Sequence, residues 1–224
     1  MVIFILLEGK NMRRNSLEKK NKEGKLNLIM NVAEKIFVEK GYEKATMTEI
    51  AKKANLAKGT LYLYFSSKKD LYFTSVERAL SALLRSIIEK FSSCKNGFEK
   101  VVSMGETYVS FSLEYVDYYK LILNYETLEV RFDDKDPHVK KAYEKSEEIF
   151  KLLVSSVEEG IKDGSIDERL EPIKIAMVLW SEITGMVQQA SLRETLYKKW
   201  AGLKPQQIYE YYIEVTKKML ASSS

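Results

Sequence analysis

Thr46-Met47-Thr48-Glu49 and Asn55 stand nine residues apart, and together they fix a helix at both ends. A threonine three residues before a glutamate makes a capping box, in which the Thr46 hydroxyl accepts the Glu49 backbone N–H and the Glu49 carboxylate reaches back. A helix therefore begins at Met47. It runs only to about Ala54, because Asn55 is one of the few non-glycine residues that tolerates the left-handed backbone of a tight interhelical turn. The chain turns through Asn55 to Ala57, and a third helix is expected from about Lys58 to Phe65. Ser67 then caps a long fourth helix to about Phe91. Ahead of the pair, Leu26, Ile29, Ala33, Ile36 and Phe37 recur at helical spacing between Lys25 and Lys40, with Gly41 as the stop.

Two short helices joined by a three-residue turn and buttressed by a preceding helix follow the helix-turn-helix plan. Ala51 is small where the two would cross, and Ile50, Leu56 and Leu61 are placed to fill the wedge. At 100° per residue, an inward Leu61 also turns Phe65 inward and leaves Gly59, Thr60, Tyr62 and Leu63 outside. That outer face offers hydroxyls, bare backbone and an apolar tip, a mixture suited to a DNA major groove. Lys58 and Lys68 bracket the helix as phosphate contacts, Tyr64 donates its hydroxyl to another, Thr60 reaches a base edge, and Tyr62 and Leu63 pack on thymine methyls. Gly59 lets a phosphate approach the backbone.

Charge agrees with this division. Residues 1–71 carry 15 Lys or Arg against 8 Asp or Glu, a net +7, whereas residues 72–224 carry 21 against 24, a net −3. The amino-terminal third is built to meet a polyanion and the rest is not. Three prolines and ten glycines in 224 residues leave little turn chemistry for β architecture, so an all-α protein is expected. One cysteine, Cys94, forms no internal disulfide, and "MVIFILL" at the start is too short to span a bilayer and lacks the flanks of a signal peptide. The reading is a soluble, cytoplasmic protein with no membrane partner.

The stretch "AEKIFVEKGYEKATMTEIAKKANLAKGTLYLYFSSKKDL", Ala33 to Leu71, resembles the amino-terminal domain of TetR-type transcriptional regulators. Phe37, Gly41-Tyr42, Thr46, Ile50-Ala51, Ala54, Lys58-Gly59, Leu61-Tyr62, Tyr64-Phe65, Lys68 and Leu71 agree with that pattern in order and spacing. The resemblance implies an all-helical homodimer whose small domains bind a near-palindromic double-stranded DNA operator and whose larger domains bind a small effector. Carried over by position, its DNA contacts fall on Thr46, Thr48, Ala57, Lys58, Gly59, Thr60, Tyr62, Leu63, Tyr64 and Lys68. Ala57 stands where a serine often caps the helix, and Leu63 where an aromatic or polar residue is frequent. The expected division is a flexible basic segment at 1–21, the helix-turn-helix domain at 22–68, and an effector-binding and dimerisation domain at 69–224. Translation from Met12 rather than Met1 would leave "MRRNSLEKKNKEGK" as a basic arm.

In the larger part, Glu171-Pro172 opens a long helix with proline in its first turn. Ile173, Ala176, Met177, Trp180, Ile183, Thr184, Val187 and Ser191 form a stripe along it, and Gly185 costs about 1 kcal/mol unless another helix passes close by. The last helix, Pro205 to about Ala221, carries Tyr211, Tyr212, Val215 and Met219. Two such helices from each of two chains make a four-helix interface, with Met177, Thr184, Gly185, Gln188, Tyr212, Val215 and Met219 as candidates. Met104, Tyr108, Phe111, Tyr115, Tyr119, Tyr125, Phe150 and Trp180 are candidates for a mostly apolar pocket that takes a lipophile. Buried tyrosine hydroxyls need partners, and a cavity supplies them. No cofactor, metal ligand or catalytic residue is expected. The only histidine, His138, is read as a loop residue, and it lacks the Glu three positions before it that a bundle di-metal site requires. The rival readings are an architectural DNA-binding protein with no effector and a helical-bundle enzyme.

Overall fold

The computed structural model describes residues 2–127 and 136–221, with side chains described from residue 19 onward except those of Thr127 and His138. Ten helices are seen among the described residues: α1 Val2–Lys44, α2 Met47–Lys53, α3 Lys58–Tyr62, α4 Lys68–Phe91, α5 Gly97–Glu114, α6 Val116–Thr127, α7 Pro137–Lys162, α8 Pro172–Leu192, α9 Glu194–Ala201 and α10 Pro205–Leu220. The only β pairing among them is one bridge, Ile166 with Ala221. The all-α expectation holds.

Several boundaries follow from capping. Thr46 has extended backbone and its hydroxyl accepts the Glu49 N–H at 3.2 Å. Ser67 caps α4 by accepting the Asp70 N–H at 3.0 Å, while Asp70 Oδ2 accepts the Ser66 N–H at 2.7 Å. Asn96 caps α5 the same way. Pro172 and Pro205 open α8 and α10 from the first turn, where a missing N–H costs nothing.

Three expectations change. The segment 1–21, read as a flexible arm, continues as the helical backbone of α1 from Val2, in a stretch rich in Lys, Glu and Leu, all good helix formers. α3 ends at Tyr62 rather than Phe65, because the Leu63 and Tyr64 N–H groups tighten onto the carbonyls three residues back, Thr60 and Leu61, and the Asp70 bonds to Ser66 turn the chain into α4. His138 lies in the first turn of α7, not in a loop. Gly41 does interrupt α1, at φ 76°, before the chain completes a final turn to Lys44.

α4 is the spine. Leu71, Tyr72, Phe73, Val76, Leu80, Leu83 and Ile87 are buried along it, and it packs on α1, α5, α6 and α7. α1, α2 and α3 close around Ile29, Ile36, Phe37, Ile50 and Leu61, each fully buried. α5 meets α7 at backbone distance: a Cβ on Gly97 would lie 2.0 Å from Gly160 N. α8 and α10 form the outer layer against α5.

Candidate nucleic-acid interface and apolar cavity

Asn55 adopts φ 55°, the left-handed turn its side chain tolerates, and the Leu56 N–H returns to the Ala51 carbonyl at 2.9 Å. This swings α3 across α2 with Leu61 and Phe65 buried beneath it. The opposite face is open. Leu63 is 82% exposed and Tyr62 44% exposed, large apolar surface that the fold itself leaves uncovered. Thr46, Thr48, Ala57, Lys58 and Gly59 are exposed beside them, while Thr60, Tyr64 and Lys68 are half-buried. A Cβ on Gly59 would meet nothing within 4 Å and its φ is not positive, so neither packing nor backbone strain inside the chain calls for glycine there.

The charges are placed unequally. Lys58 Nζ rests 5.9 Å from the Tyr62 ring centre, on the exposed side. Lys68 Nζ instead donates to the carbonyls of Tyr42 at 2.7 Å and Glu43 at 3.1 Å, and lies 4.3 Å from the Tyr42 ring. It serves the end of α1, where carbonyls lack helical partners and favour a cation. Glu49, expected to reach back to Thr46, pairs with Lys40 at 2.7 Å, whose hydrogen bond holds its carboxyl below the usual range.

In the larger part, the expected aromatic set divides. Met104, Tyr108 and Trp180 line a cavity of about 40 Å³ together with Ile87, Val101, Leu153, Leu179, Ile183, Tyr212 and Thr216. Tyr108 and Trp180 meet edge to face at 5.9 Å. Burial pushes the Tyr108 hydroxyl well above its ordinary pKa and that of Tyr212 up to about 12, so both stay neutral. Phe111 and Tyr115 face a separate open groove of about 710 Å³ that is lined by Glu89, Glu99, Glu106 and Glu114. Tyr125 packs on Phe73, Phe150 backs the core from α7, and Tyr119 is buried edge-on to Tyr108 with a hydroxyl that finds no partner. The split follows the helices: Tyr115 is the C-cap of α5, where the backbone leaves the helix, and Tyr119 and Tyr125 belong to the next helix, α6.

Tyr212, expected outside, turns inward to the cavity and donates to the Leu179 carbonyl at 3.4 Å. The rest of its group stays on the outer layer. Met177 is 58% exposed, Val215 and Met219 are exposed, and Thr184, Gly185 and Gln188 are half-buried. A Cβ on Gly185 would meet nothing within 4 Å, so no helix of the same chain passes close there. Among the described residues no cluster of His, Cys, Asp and Glu has metal-binding geometry, and no helix is long and apolar enough to cross a membrane.

Sequence reasoning missed Glu34. It is 5% exposed, and its pKa is raised to about 7 because burial outweighs the neighbouring Arg78. Its signal was present: the position falls between Ala33 and Phe37 on the apolar face of α1.

Residues 29–74 match the family described as "Bacterial regulatory proteins, tetR family". The HTH-type transcriptional activator FasR of Mycolicibacterium smegmatis is 30% identical over 114 residues, 51% of either chain, so this chain spans about half the length of that relative. The fatty acid metabolism regulator protein of Bacillus subtilis is 26% identical over 155 residues, 68% of this chain and 76% of the other. Among solved structures, the transcriptional regulator FadR from Bacillus subtilis in complex with stearoyl-CoA superposes with a TM-score of 0.69 at 20% identity, covering 86% of this chain and 98% of that one.

Proposed function

With residues 29–74 forming the amino-terminal domain of tetR-type bacterial regulatory proteins, we propose that the chain is a cytoplasmic DNA-binding transcriptional regulator, a repressor that leaves its operator when a lipophile binds. The observation that carries this reading is the outer face of α3, where Tyr62, Leu63 and Gly59 are uncovered and unused by the fold. Residues 22–68 read the DNA and residues 1–21 add basic charge beside it. Lys58 contacts phosphate, Thr46, Thr48, Ala57 and Tyr64 set the register on the backbone, and Thr60, Tyr62 and Leu63 meet base edges. Lys68 supports the site by holding the end of α1.

Residues 69–224 pair and sense. The exposed apolar side chains of α8 and α10 and the open backbone at Gly185 support a homodimer, with the two α3 helices about 34–36 Å apart on a near-palindromic site. The effector is a long-chain acyl compound, a class suggested by the relatives' names and by the apolar walls around Trp180. Pockets that enclose such ligands run to about 300–1,000 Å³. A cavity of about 40 Å³ must therefore open, parting α5 from α8 and α10, before it holds one. The ligand acts because it binds the opened arrangement more tightly than the DNA-competent one.

The small cavity also favours a second reading, a DNA-binding architectural protein with a filled core and no effector. Titration with stearoyl-CoA separates the two. The regulator is stabilised to heat by the ligand and loses a bound operator duplex, and sedimentation gives twice 25.9 kDa. The architectural protein shows neither response to the ligand.

A further inference from the structure

Arg78 holds three helices with one side chain. Its Nε donates to the Tyr118 hydroxyl on α6 at 2.8 Å, and its Nη2 donates to Glu34 Oε2 on α1 at 3.0 Å and to Asn31 Oδ1. The guanidinium also lies 5.7 Å from the centre of the Tyr118 ring. Glu34 is buried, and a buried polar group is costly unless hydrogen-bonded, so its contact with the guanidinium fixes where Arg78 sits.

The pair is incomplete. Glu34 Oε1 stands 3.0 Å from Arg78 Nε, yet it is buried and accepts no hydrogen bond. The Nε–H is aimed at Tyr118 instead. Arginine and carboxylate prefer a fork of two parallel hydrogen bonds, and here α6 has taken one tine. Two arrangements therefore compete for a single proton donor: Nε–H on Tyr118, as observed, or Nε–H on Glu34 Oε1 in a completed fork. Asn31 and Glu34 lie within the matched residues 29–74, whereas Arg78 and Tyr118 lie beyond them. α6 follows α5 directly, and α5 supplies Met104 and Tyr108 to the cavity.

We propose that Arg78 is a positioning residue, a two-state latch that ties the seat of the DNA-reading helices on α4 to the position of α6. With α6 in place, Tyr118 holds the guanidinium turned away from the full fork. When α6 withdraws, Nε–H passes to Glu34 Oε1 and α1 is reseated against α4. This inference rests on the DNA-binding reading above.

Linkage makes the latch testable without an effector, because coupling between two sites is reciprocal. Amide exchange is read on α3 and on the first turn of α6, with and without a duplex selected by the wild-type chain from random sequence. Binding should slow exchange on α3 and change it about fivefold or more at Asp117–Leu121. Tyr118→Phe removes only the α6 arm and leaves the Arg78–Glu34 hydrogen bond intact, so it should keep the α3 protection and lose the α6 response. Arg78→Lys should lose the same response, since an ammonium cannot serve both sides in a fixed fork. Tyr118→Phe is the deciding variant if Arg78→Lys fails to fold. An α6 response that survives Tyr118→Phe, or is missing from the wild type while α3 is protected, overturns the latch. A wild-type chain that binds no duplex removes the DNA-binding reading, and the latch with it.

Discussion

The two aromatic surfaces of this chain behave in opposite ways. At the end of α3, Tyr62 and the C-cap residue Leu63 face outward, set between the buried Leu61 and Phe65. Around α5, the aromatics scatter between the core and an open groove, and only Met104, Tyr108 and Trp180 of the expected set share a cavity. The difference lies in what supports each surface. The α2–α3 unit is fixed by local devices: a threonine cap, a left-handed asparagine and a three-residue turn, all within twenty residues. The bundle is fixed by long-range contacts, α4 with α7, α5 with α7 and α8 with α10, whose pairings are written nowhere in the local sequence.

Substitutions can break that comparison on either side. Leu61→Ala empties a fully buried site under α3 and should cost about 2–5 kcal/mol, read as a fall in the chemical-denaturation midpoint with loss of DNA binding. On the bundle side, Gly97→Ala places a Cβ 2.0 Å from Gly160 N and 2.4 Å from the Ser156 carbonyl oxygen. Backbone cannot yield as a side-chain tip does, so α5 and α7 must separate, at a cost of about 3 kcal/mol. A Gly97→Ala chain as stable as the wild type would show that the bundle packs more loosely than described.

Glu34 sharpens the comparison through pH. Its pKa in the folded chain is about 7 against an ordinary 4.5, so folding favours its neutral form. The sign follows: its stabilising share is complete below pH 4.5 and is lost as pH rises through about 7, by at most about 3 kcal/mol. Arg78 on α4 opposes this shift, and Asp117 on α6 adds to it. Lys35 borders the same groove from α1. The difference in unfolding free energy between wild type and Glu34→Gln should move in favour of the variant across that range. A constant difference would mean that Glu34 ionises as it does in the unfolded chain.

Much of the amino-terminal third was legible because its signals are local. Thr46, Asn55 and Ser67 each mark a boundary by a hydrogen bond or a dihedral that only a few residue types supply. The end of α3 was missed because it depends on Asp70 reaching back to Ser66. In the bundle, the starts of α8 and α10 were legible from Pro172 and Pro205, but the pocket was not. Helical spacing puts Met104, Tyr108, Phe111 and Tyr115 on one face, yet that face is shared by an apolar cavity and a separate acid-lined groove. Tyr212 could not be assigned an inward side, since the residues beside it, Tyr211 and Val215, face out.

The central claim is that the uncovered face of α3 reads base sequence. Its most direct test is the affinity of wild-type, Tyr62→Ala and Lys58→Ala chains for a selected operator and for a scrambled duplex, across a range of salt. Tyr62→Ala should weaken operator binding by about 1–3 kcal/mol and leave the scrambled duplex nearly unchanged, whereas Lys58→Ala should weaken both and flatten the salt dependence. Equal losses on the two duplexes for Tyr62→Ala would contradict a base-reading role for this face.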